Sequence, residues 1–379
     1  MSQSIDVVIP VHDAARPLER GIRSVLDQQP GLTALGVSVR VVVVCHNIAA
    51  AEIAAVLPAD LATDDAVAWL EHADGIKSPA GPRNAALAAS KATYLCFVDS
   101  DDLLEPGSLA SWWKVARAHD AAAVIAPLRT PEGAILAAPR IRPSKPAVLD
   151  AVKDGLAYRS VPYGLLLRDA LTAIGFRYAE GLPTGEDIET TLKLWFRSGS
   201  VAYPYGAPAY HQTDDSGAGR VTSLIRPLAE EFQWLDRLLG TAWLLQADGA
   251  ERRSIALKIL RVHGIGALVR RADAAGQDSG ALWDDGERAH WAVLLGRLHT
   301  FAGGLPALSR RDAALSRAAA KAGTAQELRA AVARYRASGR RGELLTEGPL
   351  SLLARDSVLR HYVTERLRAR SGVFTVHPA

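Results

Sequence analysis

The segment Tyr94 to Asp102, YLCFVDSDD, is an apolar, strand-forming run that ends in three acids within four positions, Asp99, Asp101 and Asp102. An Asp-x-Asp on the turn after a strand can turn two carboxylates toward one point. Mg2+ and Mn2+ take such oxygens and complete their shells with water and substrate phosphates. The competing use is mechanical, with Ser100 or Asp102 capping a helix that starts near Leu103 and the other acids solvated. A second acid pair, Glu186-Asp187 in GLPTGEDIETTLKLW, stands at the start of a helical pattern. A carboxylate there can accept a proton from a hydroxyl, or Thr184 and Asp187 can form a capping box. Upstream of the acid turn, Gly81 to Asn84, GPRN, opens a helix. An arginine at that end is mildly unfavourable with the helix dipole, so Arg83 points to a bound anion. His211 and Arg220 follow in YHQTDDSGAGR. Each residue has an ordinary structural explanation; the four groups occurring together in this order favour one shared site.

The elements that must position them alternate. IDVVIPV, VRVVVVCHN, YLCFVD and AAAVIAPL read as strands. PLERGIRSVLDQQP, AAEIAAVL, RNAALAAS and SLASWWKVARAHD read as helices. Strands apolar on both faces and interleaved with helices predict an α/β fold with a mostly parallel, doubly covered sheet. Ligands bind such sheets off the carboxyl ends of the strands, where the acid turn lies. After about Arg220 the period becomes helical throughout, from LAEEFQWLDRLLGTAWLLQ to PLSLLARDSVLRHYVTERLRAR, which predicts an all-helical second domain. The expected division is 1–223 and 224–379, with the polar, glycine-bearing stretch Thr213 to Ser223 as the hinge.

The chain has 379 residues, 49% hydrophobic and 22% charged, with a net charge of +3. That charge is unevenly spread: 24 basic residues against 16 acidic ones follow residue 224, and 20 against 25 precede it. An acidic front and an arginine-rich back suggest two jobs. No run is long enough to span a bilayer, and no leader-like segment precedes the first strand. Cys45 and Cys96 lie in apolar runs and read as buried thiols of a reducing compartment, so the expected location is cytoplasmic.

Taken in order, DVVIPVHD, SVLDQ, GPRNAAL, YLCFVDSDD, AIGFRYAEGLPTGEDIETTLKLW and YHQTDDSGAGRVTS resemble the inverting family 2 glycosyltransferases, which have the GT-A fold. The resemblance covers roughly Ile5 to Ser223. The layout of a catalytic domain plus a C-terminal module is similar to that of enzymes that put sugars on wall teichoic acid. The resemblance implies a nucleotide-sugar donor, a UDP-sugar foremost, and a hydroxyl acceptor on a glycan, a polyol-phosphate polymer or a lipid-linked sugar. It implies Mn2+ or Mg2+ held by Asp101, Asp99 and His211, Asp187 as the catalytic base, and Glu186 beside the acceptor. Pro10, Val11, His46, Arg83, Asn84, Asp99 and Arg220 are the implied donor-binding residues.

One position departs from the family. Cys45 and His46 stand where its second strand usually ends in two acids, the first of which contacts the base. A thiol is a poor acceptor for that bond, and His46 or Asn47 is the available substitute. Two alternatives therefore stay open. One is a decayed GT-A protein that binds nucleotide or polysaccharide without turnover. The other is a nucleotidyltransferase, against which VHDAARPLERG, with no glycine run after the first strand, counts. The basic helices suit an anionic acceptor, the inner membrane face or a homo-oligomer contact, and equally a plain solvated surface. Nucleic acid is not expected, because no matching motif is present and the front half is acidic.

Overall fold

The computed structural model describes residues 3–136, 138–140, 142, 147–213, 225–274 and 282–370. Eleven strands are present among the described residues: β1 (Gln3–Val11), β2 (Val37–His46), β3 (Val67–His72), β4 (Tyr94–Phe97), β5 (Leu103–Leu104), β6 (Ala123–Ile125), β7 (Leu128–Arg129), β8 (Val148–Leu149), β9 (Gly164–Leu167), β10 (Val201–Ala202) and β11 (Tyr210–His211). Eight of them form one sheet in the order β3-β2-β1-β4-β9-β6-β10-β8. The pairs β1–β2, β2–β3, β1–β4 and β6–β10 are parallel, while β9 runs against both β4 and β6 and β8 against β10.

The two-fold period of a strand divides the core. Ile5, Val7, Ile9 and Val11 of β1 face the helices Leu18–Leu26 and Ser108–Ala118. Val8 faces the opposite layer, with Ala80 and Ala86 of one helix and Leu194 and Trp195 of another. Asp6, 2% exposed on that second face, is satisfied by both arms of Arg40 at 2.9 and 3.1 Å and by the Ser90 hydroxyl at 2.7 Å. Position 164 admits only glycine. Its φ is +143°, and a Cβ there would stand 1.9 Å from the Val124 carbonyl oxygen.

Where the structure departs from the sequence reading, the cause is local. AAAVIAPL splits into β6 and β7 around Pro127, which has no N–H to give a ladder. β3 and β9 were not expected. Leu103 does not begin a helix: Leu103–Leu104 are strand β5, and the helix starts at Ser108 after Gly107. β5 pairs with β11, which also pairs with β7, so a three-stranded sheet lies against the acid turn.

From Leu228 to Arg370 the described residues are helical, apart from an isolated bridge between Ser309 and Thr346. The stretch RRSIALKILRVHGIGALVRRA is not a uniform α-helix; it passes through a π-helical segment, Ile259–Gly264. The helix Ile188–Arg197 is shared between the two regions. Leu194 and Trp195 pack on the sheet layer, and Ile188 and Leu192 join the core of the C-terminal helices. The expected hinge lies outside the described residues, except for Thr213.

Candidate active site

The acid turn is held by side chains from four directions. Tyr163 donates its hydroxyl to Asp99 Oδ2, and Arg83 donates Nη2 to Asp99 Oδ1 at 2.7 Å. The backbone N–H of Asp99 donates to the Tyr210 hydroxyl at 3.0 Å, and the rings of Tyr163 and Tyr210 stack with centroids 4.2 Å apart. Arg16 reaches Asp101 Oδ2 at 3.1 Å, and Arg20 and Thr213 both donate to the Asp101 carbonyl. Asp102 caps no helix. It is 4% exposed and accepts from the Tyr210 hydroxyl at 2.7 Å and the Thr213 N–H at 2.8 Å. Burial pushes its carboxyl up to about 7, against the pull of the Thr213 bond. Asp102 therefore builds the turn, while Asp99 and Asp101 keep 35% and 21% of their side chains exposed. His211, on β11, is paired opposite Leu103 and so flanks the same turn.

Arg83 sits in the first turn of the helix Ala80–Ala89 and is 6% exposed. Burial works against its charge, but Asp99 and further anionic groups hold its pKa raised. Its Nη1 is 4.0 Å from Glu186 Oε1, and its guanidinium lies over the Tyr178 ring, 5.3 Å from the centroid. One guanidinium thus links the acid turn to the Glu186-Asp187 pair. Asn84 faces inward. It donates to the Tyr178 carbonyl at 3.0 Å and to Glu180 at 2.7 Å and accepts from the Tyr178 N–H at 2.9 Å, clamping its helix to residues 178–180.

Asp187 is the N-cap of the helix Ile188–Arg197, yet its side chain makes no capping hydrogen bond, so the Thr184–Asp187 box is not formed. Burial first and Glu186 second push its carboxyl up to about 7, with Arg83 and Lys258 opposing. A carboxyl poised there changes protonation state near neutral pH, as a general base must.

At the ends of the first strands, Pro10 and Val11 pair with Val44 and Cys45. Val11 lines a cleft of about 160 Å³ with Asp13, Arg16, Ile53 and Leu57. His46 Nε2 meets Asp74 Oδ1 at 2.8 Å, and His72 Nε2 meets Asp74 Oδ2 at 3.2 Å. Asn47, at φ +58°, accepts from the N–H groups of Asp74 and Gly75 at 3.0 and 2.8 Å. Sequence reasoning missed Asp74. The acid lacking at the end of β2 arrives from the loop after β3, and HADG directly after an uncalled strand was its only signal. Burial opposes the charge on Asp74, but bonds from the Ile76 N–H, His46 and Asn47 hold its pKa well below the usual carboxylate range. Gly81 makes this approach possible, since a Cβ there would fall 2.3 Å from Asp74 Oδ2 and 2.6 Å from His72 Nε2.

Arg220 lies outside the described residues. Among those described, no three His, Cys, Asp or Glu side chains are already grouped to hold a metal ion. In donor type, Asp99, Asp101 and His211 fit a hard divalent cation. Their carboxylates are occupied here by Arg83 and Arg16.

No curated protein matches the chain in sequence. Its fold is similar to that of the crystal structure of S. aureus TarS 1–349 in complex with UDP-GlcNAc, with a TM-score of 0.66 and 16% identity over 89% of this chain and 92% of the other. The same fragment in complex with UDP gives a TM-score of 0.61 at 16% identity, with the same coverage. The longer S. aureus TarS structure gives 0.61 at 14% identity over 88% of this chain and 55% of that one. At these identities the likeness is one of fold, and it extends through the helical region. Residues 6–175 match the family model described as Glycosyl transferase family 2, a span that holds most of β1, Arg83 and the acid turn but ends before Glu186, Asp187 and His211. Residues 6–175 thus carry a glycosyl transferase family 2 domain.

Proposed function

We propose that the enzyme inverts configuration, moving a sugar from a nucleoside diphosphate to a hydroxyl of a cell-envelope glycopolymer or glycolipid, with Asp187 as base. The observation that carries this reading is Arg83, which reaches Asp99 at 2.7 Å and Glu186 at 4.0 Å. It brings the donor half and the acceptor half within the span of one side chain. Inversion needs attack from the face opposite the leaving group, with the acceptor proton removed as the bond forms. Asp187 takes that proton, and Glu186 beside it orients the acceptor. Arg83 and Arg16 stand where a diphosphate gains charge, and guanidinium suits its oxygens. Mn2+ or Mg2+, held by Asp101 and Asp99 with His211, would neutralise that leaving charge. Asp74 and His46 replace the acids that the end of β2 lacks and face the base. UDP-GlcNAc, bound by the like-folded TarS, is the first donor to try.

The test is the thermal midpoint with UDP, GDP, CDP and dTDP, each with and without Mn2+, followed by turnover of UDP-GlcNAc in the wild type and D187N. A ligand bound only by the folded state raises the midpoint by mass action. The expected outcome is a metal-dependent shift with one nucleotide, and turnover lost in D187N with that shift kept. Full turnover in D187N would reject the base assignment. The absence of a shift with all four nucleotides would reject the donor reading.

A further inference from the structure

The charged groups facing Asp187 come from three parts of the chain. Glu186 precedes it, and Arg83 from the helix Ala80–Ala89 and Lys258 from the C-terminal helices act on it through their charge. Tyr178 stands beside it as well. Lys258 ends the helix Gly249–Lys258 and is 1% exposed, a position lysine seldom holds without a partner. Its partner is His263, whose Nε2 lies 2.7 Å from the Lys258 Nζ. Burial, then Lys258 and Arg270, press the imidazole pKa well below its usual value, so the ring is neutral. Nε2 then accepts from the ammonium, which assigns the ring proton to Nδ1.

The backbone between these two residues serves that bond. Ile259–Gly264 is π-helical. A wider turn, bonded from i to i+5, brings positions 258 and 263 to the same side, where the 3.6-residue α-helical turn would set them apart. Such turns are rare and occur frequently at functional sites. The far edge of His263 meets Trp234, with ring centroids 5.2 Å apart, and Trp234 presses on Gly185, directly before Glu186.

We propose that Lys258, held by His263 in the π-helical turn, is a positioning residue for Asp187, so that the helical domain supplies a charge to the active site. This rests on the reading of Asp187 as the base. In the reaction the acceptor hydroxyl gives its proton to the Asp187 carboxylate; burial lowers the Lys258 pKa to about 8 against the pull of Asp187, so below that pH the lysine faces the carboxylate as an ammonium. Burial alone would keep Asp187 protonated, and Lys258 is one of the two cations that oppose this, Arg83 being shared with Asp99.

The first arm of the test needs no donor. Thermal midpoints of the full chain are measured from pH 5 to pH 9 for the wild type, D187N, K258M and the double variant. Coupling between the two positions is expected to be absent at pH 5, where Asp187 is neutral, and present at pH 7.5, below the lowered pKa of Lys258, as a favourable interaction of several degrees. Coupling that is equal at both pH values, or zero at both, overturns the proposal. The second arm follows UDP release from UDP-GlcNAc with Mn2+ against pH. K258M and H263L should move the rising limb up by about one pH unit, while H263Q, which keeps an acceptor, restores it. If K258M does not fold, H263L against H263Q carries the same test, and an unmoved limb in H263L overturns the proposal. Full turnover in D187N would instead reject the base reading, so the two failures are distinguishable.

Discussion

Gly185→Ala tests how firmly the helical domain sets the turn that carries Asp187. Gly185 has φ +75°, and a Cβ built there lies 2.6 Å from Trp234 Cδ1, 2.8 Å from Trp234 Cγ and 3.0 Å from Ile188 Cδ1. The left-handed backbone alone costs an alanine about 1–2 kcal/mol. Overpacking against the base of a tryptophan, which has no flexible end to swing away, adds roughly 1–3 kcal/mol. The total is roughly 2–5 kcal/mol. Gly181→Ala is the control, since its φ is +78° with nothing within 4 Å, so it should show only the backbone cost. Urea unfolding followed by far-ultraviolet circular dichroism measures both. In a cycle with Trp234→Ala, the steric part should reappear as an interaction of about 1–3 kcal/mol. Turnover should fall about 100-fold in G185A, because a shift of about 1 Å in a reacting group costs that much. Metal-dependent nucleotide binding should stay, as the acid turn is untouched. If G185A and G181A prove equal in stability and turnover, the contact with Trp234 does not position the turn.

Transfer should rise with pH through about 7, the value to which burial and Glu186 push Asp187, and fall tenfold per unit below it in a rate profile. The same shift acts on stability with the opposite sense. A carboxyl raised in the folded state favours folding fully only below its unfolded value of about 3.8, and that share is lost as pH rises through about 7. D187N should therefore gain on the wild type by up to about 4 kcal/mol between pH 4 and pH 8 in chemical denaturation. Asp99→Asn and Asp101→Asn should each abolish the Mn2+-dependent part of the nucleotide shift. Asp102→Asn should cost about 1–3 kcal/mol of stability, because an amide with one oxygen cannot accept from both the Thr213 N–H and the Tyr210 hydroxyl. Glu231→Ala should destabilise the helical region by about 3 kcal/mol, because Arg271, 0% exposed, pairs with Glu231 at 2.8 Å and would keep, besides the Ala267 and Arg226 carbonyls, a single carboxylate among the described residues, Glu287 at 3.2 Å.

The parts of this molecule that were legible in the sequence are those whose signal is continuous along the chain. β1, β2 and β4 are unbroken runs of branched apolar residues, and the acid turn follows one of them directly. β3 escaped notice because VAWLEH mixes Glu and His into a strand at the sheet margin, where one side needs no apolar cover. β9 escaped because GLLL also suits a buried helix, and its antiparallel placement is a long-range fact. Arg16, Arg20, Tyr163 and Tyr210 are isolated residues whose grouping around the acid turn arises only on folding. Asp74 was missed with the strand that delivers it. Lys258 and His263 sit in an arginine-rich helical pattern that reads as solvated surface, and only the π-helical turn shows them facing inward.

The placement of β9 bears on how the chain is made. When a ribosome has delivered residues 1–125, β1, β2, β3 and β4 can assemble, but β4 and β6 cannot meet, because the strand that joins them spans residues 164–167 and is still to come. Until then Tyr94–Phe97 is an open edge of unpaired amides and carbonyls, directly before the acid turn. Nascent chains stalled in this window should be the ones prone to wrong pairing and to capture by holdase chaperones. Slow synthesis once residues 164–167 have emerged from the ribosome would relieve that hazard, whereas slow synthesis before they emerge would prolong it.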